Sequence, residues 1–289
     1  MSEIHPFNHR AMATYFEVRI ADEERTYSAQ AAQAALDLLD KLESHLSRFR
    51  ANSDVAQIAQ LAPGEAIRLS EPAFACLEIA KKMESATRGA FSPTAAALQT
   101  QGSLPQWSLL PEEQSIRCES GCLQFDLGAI GKGFALDCMA ELLRAWECPS
   151  FLLVAGGSSI LAGNAPKNAT GWSCGLGDDH APQRFFLAHA SLSGSGLAVK
   201  GSHIFDPRTG QPAQRQNRAW ALTDTAAESD ALSTACMVLD EPELEEVLGQ
   251  DRSWLVFLDT DGIARSLGSR EPPLQDTTQI EASEMRPEK

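Results

Sequence analysis

Four stretches of the 289-residue chain bring together side chains that can do chemistry. Residues 126–133 read DLGAIGKG. Small residues there let the backbone come close to a ligand, and a helix begins at their end. Helix N-termini offer free N–H groups and a partial positive charge. Lys132 adds a mobile cation. This is a design for a phosphate or pyrophosphate, or else a glycine-rich turn with Lys132 in solvent. Residues 203–210, HIFDPRTG, put His203 just before an Asp-Pro-x-x-Gly turn. A histidine held beside a rigid turn can serve as a general base near neutral pH, although a lone histidine is ambiguous. Residues 228–234, ESDALST, place Asp230 and Thr234 four apart, on one face if the segment is helical. A carboxylate and a hydroxyl make a sparse magnesium site; a helix-terminal charge and a packed threonine are the simpler alternative. Ser47-Arg48-Phe49-Arg50 and Thr87 to Thr94 each put an aromatic ring, Phe49 or Phe91, at a helix end. Such a ring can stack on a flat cofactor or pack in the core.

Other signals fail on spacing. Gly128 to Gly133 has a P-loop flavour, but a glycine stands where Ser or Thr should ligate magnesium. The Gly-Ser-Gly at 194–196 lacks a third glycine at dinucleotide spacing, and no G-x-S-x-G elbow occurs. Asp259 and Asp261 open like a calcium loop, but Arg270 holds the twelfth position.

Around these segments the patterning predicts a strand at 12–20, a helix at 28–47 and a short helix from Asn52 or Ser53. A helix at 71–87 has Ser70 as N-cap, Pro72 in the first turn and Gly89 past its end. Residues 99–120 read as an irregular loop, and GCLQFDL at 121–127 as a strand leading into a helix at 132–146. Strand, tight Gly-Gly turn and strand follow at 151–163. Strands are expected at 184–193 and 219–223, a helix at 228–239, and a hairpin at 254–267 with a DTDG turn. The end, from about 270, reads as a loose polar tail. Helices and strands alternate without a steady β-α-β beat, which makes the class α+β.

A formal net charge of −15 argues against broad binding to nucleic acid or anionic membranes, while leaving room for a local basic pocket. Hydrophobic residues are 43% of the chain, enough for a sizeable core. The 7 cysteines have no metal-site spacing and fit free thiols in a reducing compartment. No apolar run is long enough to span a bilayer. Residues 1–10 lack the pattern of a secretory signal, so the expected location is cytoplasmic.

Taken in order, these blocks resemble the FAD:protein FMN transferase (ApbE-type) family over about residues 10–260. The family's Met-Gly-Thr is matched by Met12-Ala13-Thr14, and its helix ending in Ser-x-Tyr/Phe before a Ser-led segment by Ser47-Arg48-Phe49 and Ser53. Its Thr-x-Gly-Ala-Phe-Asp-Pro-Thr is matched by Thr87 to Thr94, and its DLGGIAKGYAVD by DLGAIGKGFALD at 126–137. HIFDPRTGQP at 203–212 and SDALSTA at 229–235 complete the set.

The resemblance implies mixed, largely antiparallel sheets packed with helices, in one globular unit of two lobes over residues 10–268 with a polar tail at 269–289. It implies magnesium-dependent transfer of the FMN moiety of FAD to a Thr or Ser hydroxyl of an acceptor flavoprotein, releasing AMP; this is covalent protein flavinylation. The implied partners are FAD and that acceptor, with no nucleic acid and no membrane span. Met12, Phe49, Ala90, Phe91, Ser92, Asp126, Lys132 and Ile204 match positions that line the cofactor. Ala129 through its carbonyl, with Asp230 and Thr234, matches the magnesium ligands, and His203 matches the base. Ser92 departs from the family's usual Asp, and Ser158 from an acidic or amide residue; both changes remove a possible hydrogen-bond acceptor or carboxylate near the FAD. The lipoprotein signal of many relatives is absent, so the expected acceptor faces the cytoplasm. The alternatives are a pyrophosphatase splitting FAD into FMN and AMP, and a non-catalytic FAD-binding protein.

Overall fold

Apolar residues recur on one side of the long helices, and strands such as TYFEVRIA and FLLVA are rich in β-branched, aromatic and aliphatic residues, so helices must cover sheets. The structure is a computed structural model and describes residues 3–176, 183–196, 204–213, 216–259 and 264–275. Eight strands make the main sheet: β1 (Ile4–Ala11), β2 (Thr14–Ala21), β6 (Phe151–Ala155), β7 (Ser159–Ala162), β10 (Ala190–Gly196), β11 (Arg218–Thr223), β12 (Leu255–Asp259) and β13 (Ala264–Gly268). They lie in that spatial order, and every pairing is antiparallel. Between β2 and β6 the chain inserts α1 (Arg25–Leu46), α2 (Asp54–Ile58), β3 (Ala66–Arg68), α3 (Glu71–Ala86), α4 (Ala95–Gln101), β4 (Gln106–Leu110), β5 (Ser115–Ser120) and α5 (Gly131–Ala145). Strands β3, β5 and β4 form a separate small sheet. The α+β expectation therefore holds, with largely antiparallel sheets.

One face of the main sheet is covered by α1, α5 and α6 (Ala226–Cys236). Phe16, Val18, Ile20, Leu39, Leu136 and Leu232 are buried in that layer. A smaller cluster on the other face gathers Leu152, Leu192, Leu222 and Phe257 under β8 (Trp172–Leu176) and β9 (Gln183–Leu187). Helix α7 (Glu241–Leu248) opens on a capping box between Asp240 and Glu243.

Several elements depart from the sequence expectations. The strand expected at 12–20 begins at Thr14, because Met12 and Ala13 form the left-handed turn of the β1–β2 hairpin, with φ of 49° and 59°. That geometry is the type I′ turn, which matches the strand twist but strains residues with a Cβ. Strand β1 is unforeseen: Pro6 sits within it, which an edge strand tolerates. Residues 99–120 are not an irregular loop; they end α4 and form β4 and β5. The 121–127 stretch joins no sheet. Leu123 and Phe125 are buried, but the stretch makes no strand ladder; the Asp126 N–H instead donates to the Pro93 carbonyl at 2.8 Å, a single contact with a distant loop. The segment 184–193 belongs to two strands, broken at His189 with φ of 51°. Strand β8 and helix α7 were also unforeseen. Of the DTDG turn, Asp259 ends β12 and pairs with Ala264 of β13, and residues 260–263 lie outside the described residues. Of the expected tail, Leu274 accepts the Phe186 N–H at 2.9 Å, and residues 276–289 lie outside the described set.

The closest helix contact is made by Gly133. A Cβ there would stand 2.0 Å from the Ala226 carbonyl oxygen, so α5 and α6 touch backbone to backbone. Gly133→Ala is expected to lower stability by at least about 2 kcal/mol, the scale of overpacking a rigid contact, and a thermal melt should show a fall of several degrees. A wild-type melting temperature would mean the two helices separate freely.

Candidate active site

The contact of α5 with α6 gathers most of the predicted polar groups. Lys132, on the first turn of α5, donates to both oxygens of Asp230 at 3.1 and 3.0 Å and to the Gly128 carbonyl at 3.0 Å. Asp230 is 3% exposed on α6. Its carboxylate also accepts the Gly133 N–H at 3.3 Å and the Ser159 hydroxyl at 3.2 Å. A buried carboxylate needs such partners, because an unpaired charge in the interior costs several kcal/mol. Thr234, one turn further along α6, donates to the Asp230 carbonyl at 3.3 Å and shares a hydrogen bond with Ser195 at 3.2 Å. Ser195 also meets Ser233 at 3.0 Å.

Ala129 ends the 3-10 turn Leu127–Ala129, which packs against α6. Helix α5 has no side-chain cap, and no acidic residue lies in its first turn. Its N-terminal dipole therefore faces the site without an anion from its own turn. Asp126 caps the 3-10 turn, accepting the Gly128 N–H at 2.9 Å, and pairs with Arg48 at 3.1 Å. Arg48 in turn stacks over the Phe49 ring, 4.8 Å from its centroid. Phe49 is 83% exposed, so of the two aromatic candidates it is the ring open to a ligand.

Phe91 is 2% exposed, with its ring in the core. Ala90 is buried beside it, and the Phe91 N–H donates to Thr87 Oγ1 at 3.1 Å. Ser92 donates to Glu84 at 2.6 Å, so a carboxylate does stand at this turn, supplied from α3. Met12 is strapped from its backbone: its N–H donates to Glu43 on α1 at 3.0 Å, and Glu43 also takes Arg50 at 2.8 Å. Ile204 is buried in a small loop closed by the Ala213 N–H on the Ile204 carbonyl, at 2.9 Å. His203 lies outside the described residues. Ser158 accepts the Gly194 N–H through its carbonyl at 2.7 Å, within the turn that Gly156 and Gly157 make at φ of 60° and 68°.

The hydroxyls of Ser159, Ser195 and Ser233 were missed, since only the strand pairing of β7 with β10 and the packing of α6 bring them together. Glu84 and Asp137 were missed as well. Asp137 had a signal: it lies four residues after Gly133, on the same helix face. Its carboxylate accepts the Ala226 and Ala227 N–H groups at 2.7 and 2.8 Å. Burial pushes its pKa up to about 6, against the pull of those two N–H groups. All 7 cysteines are free, and burial raises the thiols of Cys138 and Cys236 to about 12. Among the described residues no cluster of three His, Cys, Asp or Glu side chains is poised for a metal, and no helix is long and apolar enough to cross a membrane.

The ApbE family model matches residues 12–257. A FAD:protein FMN transferase of Treponema pallidum (strain Nichols) is 24% identical over 277 residues, covering 79% of this chain and 76% of that protein. One from Klebsiella pneumoniae (strain 342) is 24% identical over 289 residues, covering 83% of this chain and 79% of its own. The fold is similar to that of the flavin transferase ApbE from Vibrio cholerae, with a TM-score of 0.79 at 18% identity over 93% of this chain and 98% of that one. It is equally similar to the apo form of the Pseudomonas stutzeri flavinyl transferase ApbE, with a TM-score of 0.79 at 20% identity over 92% and 94%.

The raised pKa of Asp137 fixes a pH dependence. Its ordinary value is about 3.9, so ionising it inside the protein is harder than in the unfolded chain. Its contribution to stability is therefore full below about pH 4 and is lost as pH rises through about 6, by up to roughly 1.4 kcal/mol per pH unit. Urea midpoints of wild type and Asp137→Asn, taken at steps between pH 4.5 and 6.5, should show the wild-type advantage shrinking as pH rises. A gap that widens would reverse the sign of the shift.

Proposed function

The chain belongs to the ApbE family, and from that membership we propose a transferase that moves the FMN half of FAD onto a Thr or Ser hydroxyl of an acceptor flavoprotein, with magnesium at Asp230 and AMP as the second product. The observation that carries this reading is the buried Asp230, held between Lys132, a serine hydroxyl and the first turn of α5.

The residues present fit the metal. Asp230, Thr234 and the Ala129 carbonyl are hard oxygen donors, the type magnesium takes, with water and phosphate oxygens completing the shell. Bound there, magnesium supplies Lewis-acid neutralisation of the pyrophosphate. Lys132 and the α5 N-terminus add positive charge where an anionic substrate must sit, in a protein whose formal net charge is −15. Phe49, with Arg48 across its ring, offers a face for a flat heterocycle, and Met12, Ala90, Ser92, Asp126 and Ile204 complete the assigned lining. The acceptor hydroxyl oxygen forms a bond to the FMN phosphorus, the bond from that phosphorus to the bridging pyrophosphate oxygen breaks, and AMP leaves. His203 receives the hydroxyl proton; its role rests on the match of residues 203–212 to the family block.

The test mixes purified protein, FAD, magnesium and an acceptor domain, and follows AMP release together with acceptor mass. AMP with an FMN mass gain on the acceptor is expected. AMP with free FMN and an unmodified acceptor would identify a pyrophosphatase, and bound FAD without AMP a binding protein. Asp230→Ala is expected to abolish metal-dependent turnover. His203→Ala should keep FAD binding and slow transfer by about a hundredfold, the range of general-base catalysis. Full activity in either variant would remove that residue from the mechanism.

A further inference from the structure

We propose that Asp137 is a positioning residue for the cation site, one that sets where α6 presents Asp230 and Thr234; this rests on the magnesium reading above. The site is split between two elements. Ala129 and Lys132 come from the start of α5 and the turn before it, whereas Asp230 and Thr234 come from α6. Their relative placement is only as good as the register of the two helices.

Three contacts fix that register. Gly133 admits the Ala226 carbonyl to a distance no side chain would allow. One turn later on the same face of α5, Asp137 takes the first two N–H groups of α6, at 2.7 and 2.8 Å. One turn into α6, Asp230 reaches back to the Gly133 N–H at 3.3 Å. Asp137 is thus bonded to the N-terminus of α6 rather than to the cation site. Its bidentate grip is directional: two parallel N–H groups on two oxygens fix rotation as well as distance. Thr225 already supplies the local cap by accepting the Glu228 N–H, so α6 does not depend on Asp137 merely to begin. Groups hydrogen-bonded directly to metal ligands typically change affinity ten- to a hundredfold when altered; Asp137 acts one step further out, through the placement of α6, which sets its effect at the low end of that range.

The experiment measures Mn2+ binding to the full chain by the spin-resonance signal of free Mn2+. It compares wild type, Asp137→Asn, Asp137→Ser, Asp230→Ala, and Leu187→Ala as a destabilised control in the opposite core cluster. Asparagine offers one acceptor and turns an amide N–H₂ toward the second donor; serine serves if the asparagine variant does not fold. The expected result is Mn2+ affinity at least about tenfold weaker in the Asp137 variant. Leu187→Ala should keep wild-type affinity despite its lower melting temperature. In turnover, the Asp137 variant should need correspondingly more magnesium for half-maximal rate and recover most of kcat when metal is saturating. Wild-type Mn2+ affinity in a folded Asp137 variant, or an equal loss in Leu187→Ala, would reduce Asp137 to a structural cap. Wild type indistinguishable from Asp230→Ala would overturn the cation site itself, and the positioning role with it.

Discussion

Where α5 crosses α6, the two backbones meet with no side chain between them. The absence of a Cβ at Gly133 permits this, and the rest of the site follows from it. Only at that spacing can a carboxylate on α6 accept a backbone N–H from α5 while pairing with the neighbouring Lys132. The sheet contributes from below: β7 and β10 lie side by side, so Ser159 and Ser195 rise toward the same helix. An interior carboxylate is tolerated because three separate groups, two of them on α5, donate to its two oxygens.

Charge is organised against the protein's own average. The chain as a whole is acidic, yet two of the assigned segments carry Arg48 and Lys132, each tied to one aspartate. An anionic ligand arriving there exchanges protein carboxylates for its own phosphates, so the electrostatic gain is a difference between two pairings, not the full attraction.

Much of this was legible in the chain, and the failures have causes. Ser70, Pro72 and Gly89 frame α3 because caps and breakers act locally. The Gly-Gly turn between β6 and β7 follows equally from residues that tolerate positive φ. The 121–127 stretch alternates like a strand, but Leu123 and Phe125 bury themselves without a neighbouring strand to pair with; burial and sheet membership are separate outcomes. Strands β4 and β5 hide among Pro105, Pro111 and Gly121, where breakers dominate a short window. At the site, Asp230, Thr234 and Lys132 stood out through their spacing and motifs. Lys132 lies 98 residues from Asp230, and nothing in the sequence joins them. The serine hydroxyls and Glu84 were invisible for the same reason: their partners come from other elements.

The insertion between β2 and β6 also governs how the chain reaches this structure. One edge of β2 is satisfied at once by β1 through a two-residue hairpin. The other edge waits for β6, whose first residue is Phe151, with Phe16 pairing with Ala155. Loop-closure entropy must be met before such distant contacts form, which slows folding. Until then a strand bearing Phe16, Val18 and Ile20 keeps an open row of N–H and C=O groups, a template for another chain. On the ribosome, that aggregation-prone interval closes only after Ala155 has emerged, so every helix of the insertion leaves the ribosome before the sheet that supports it is complete.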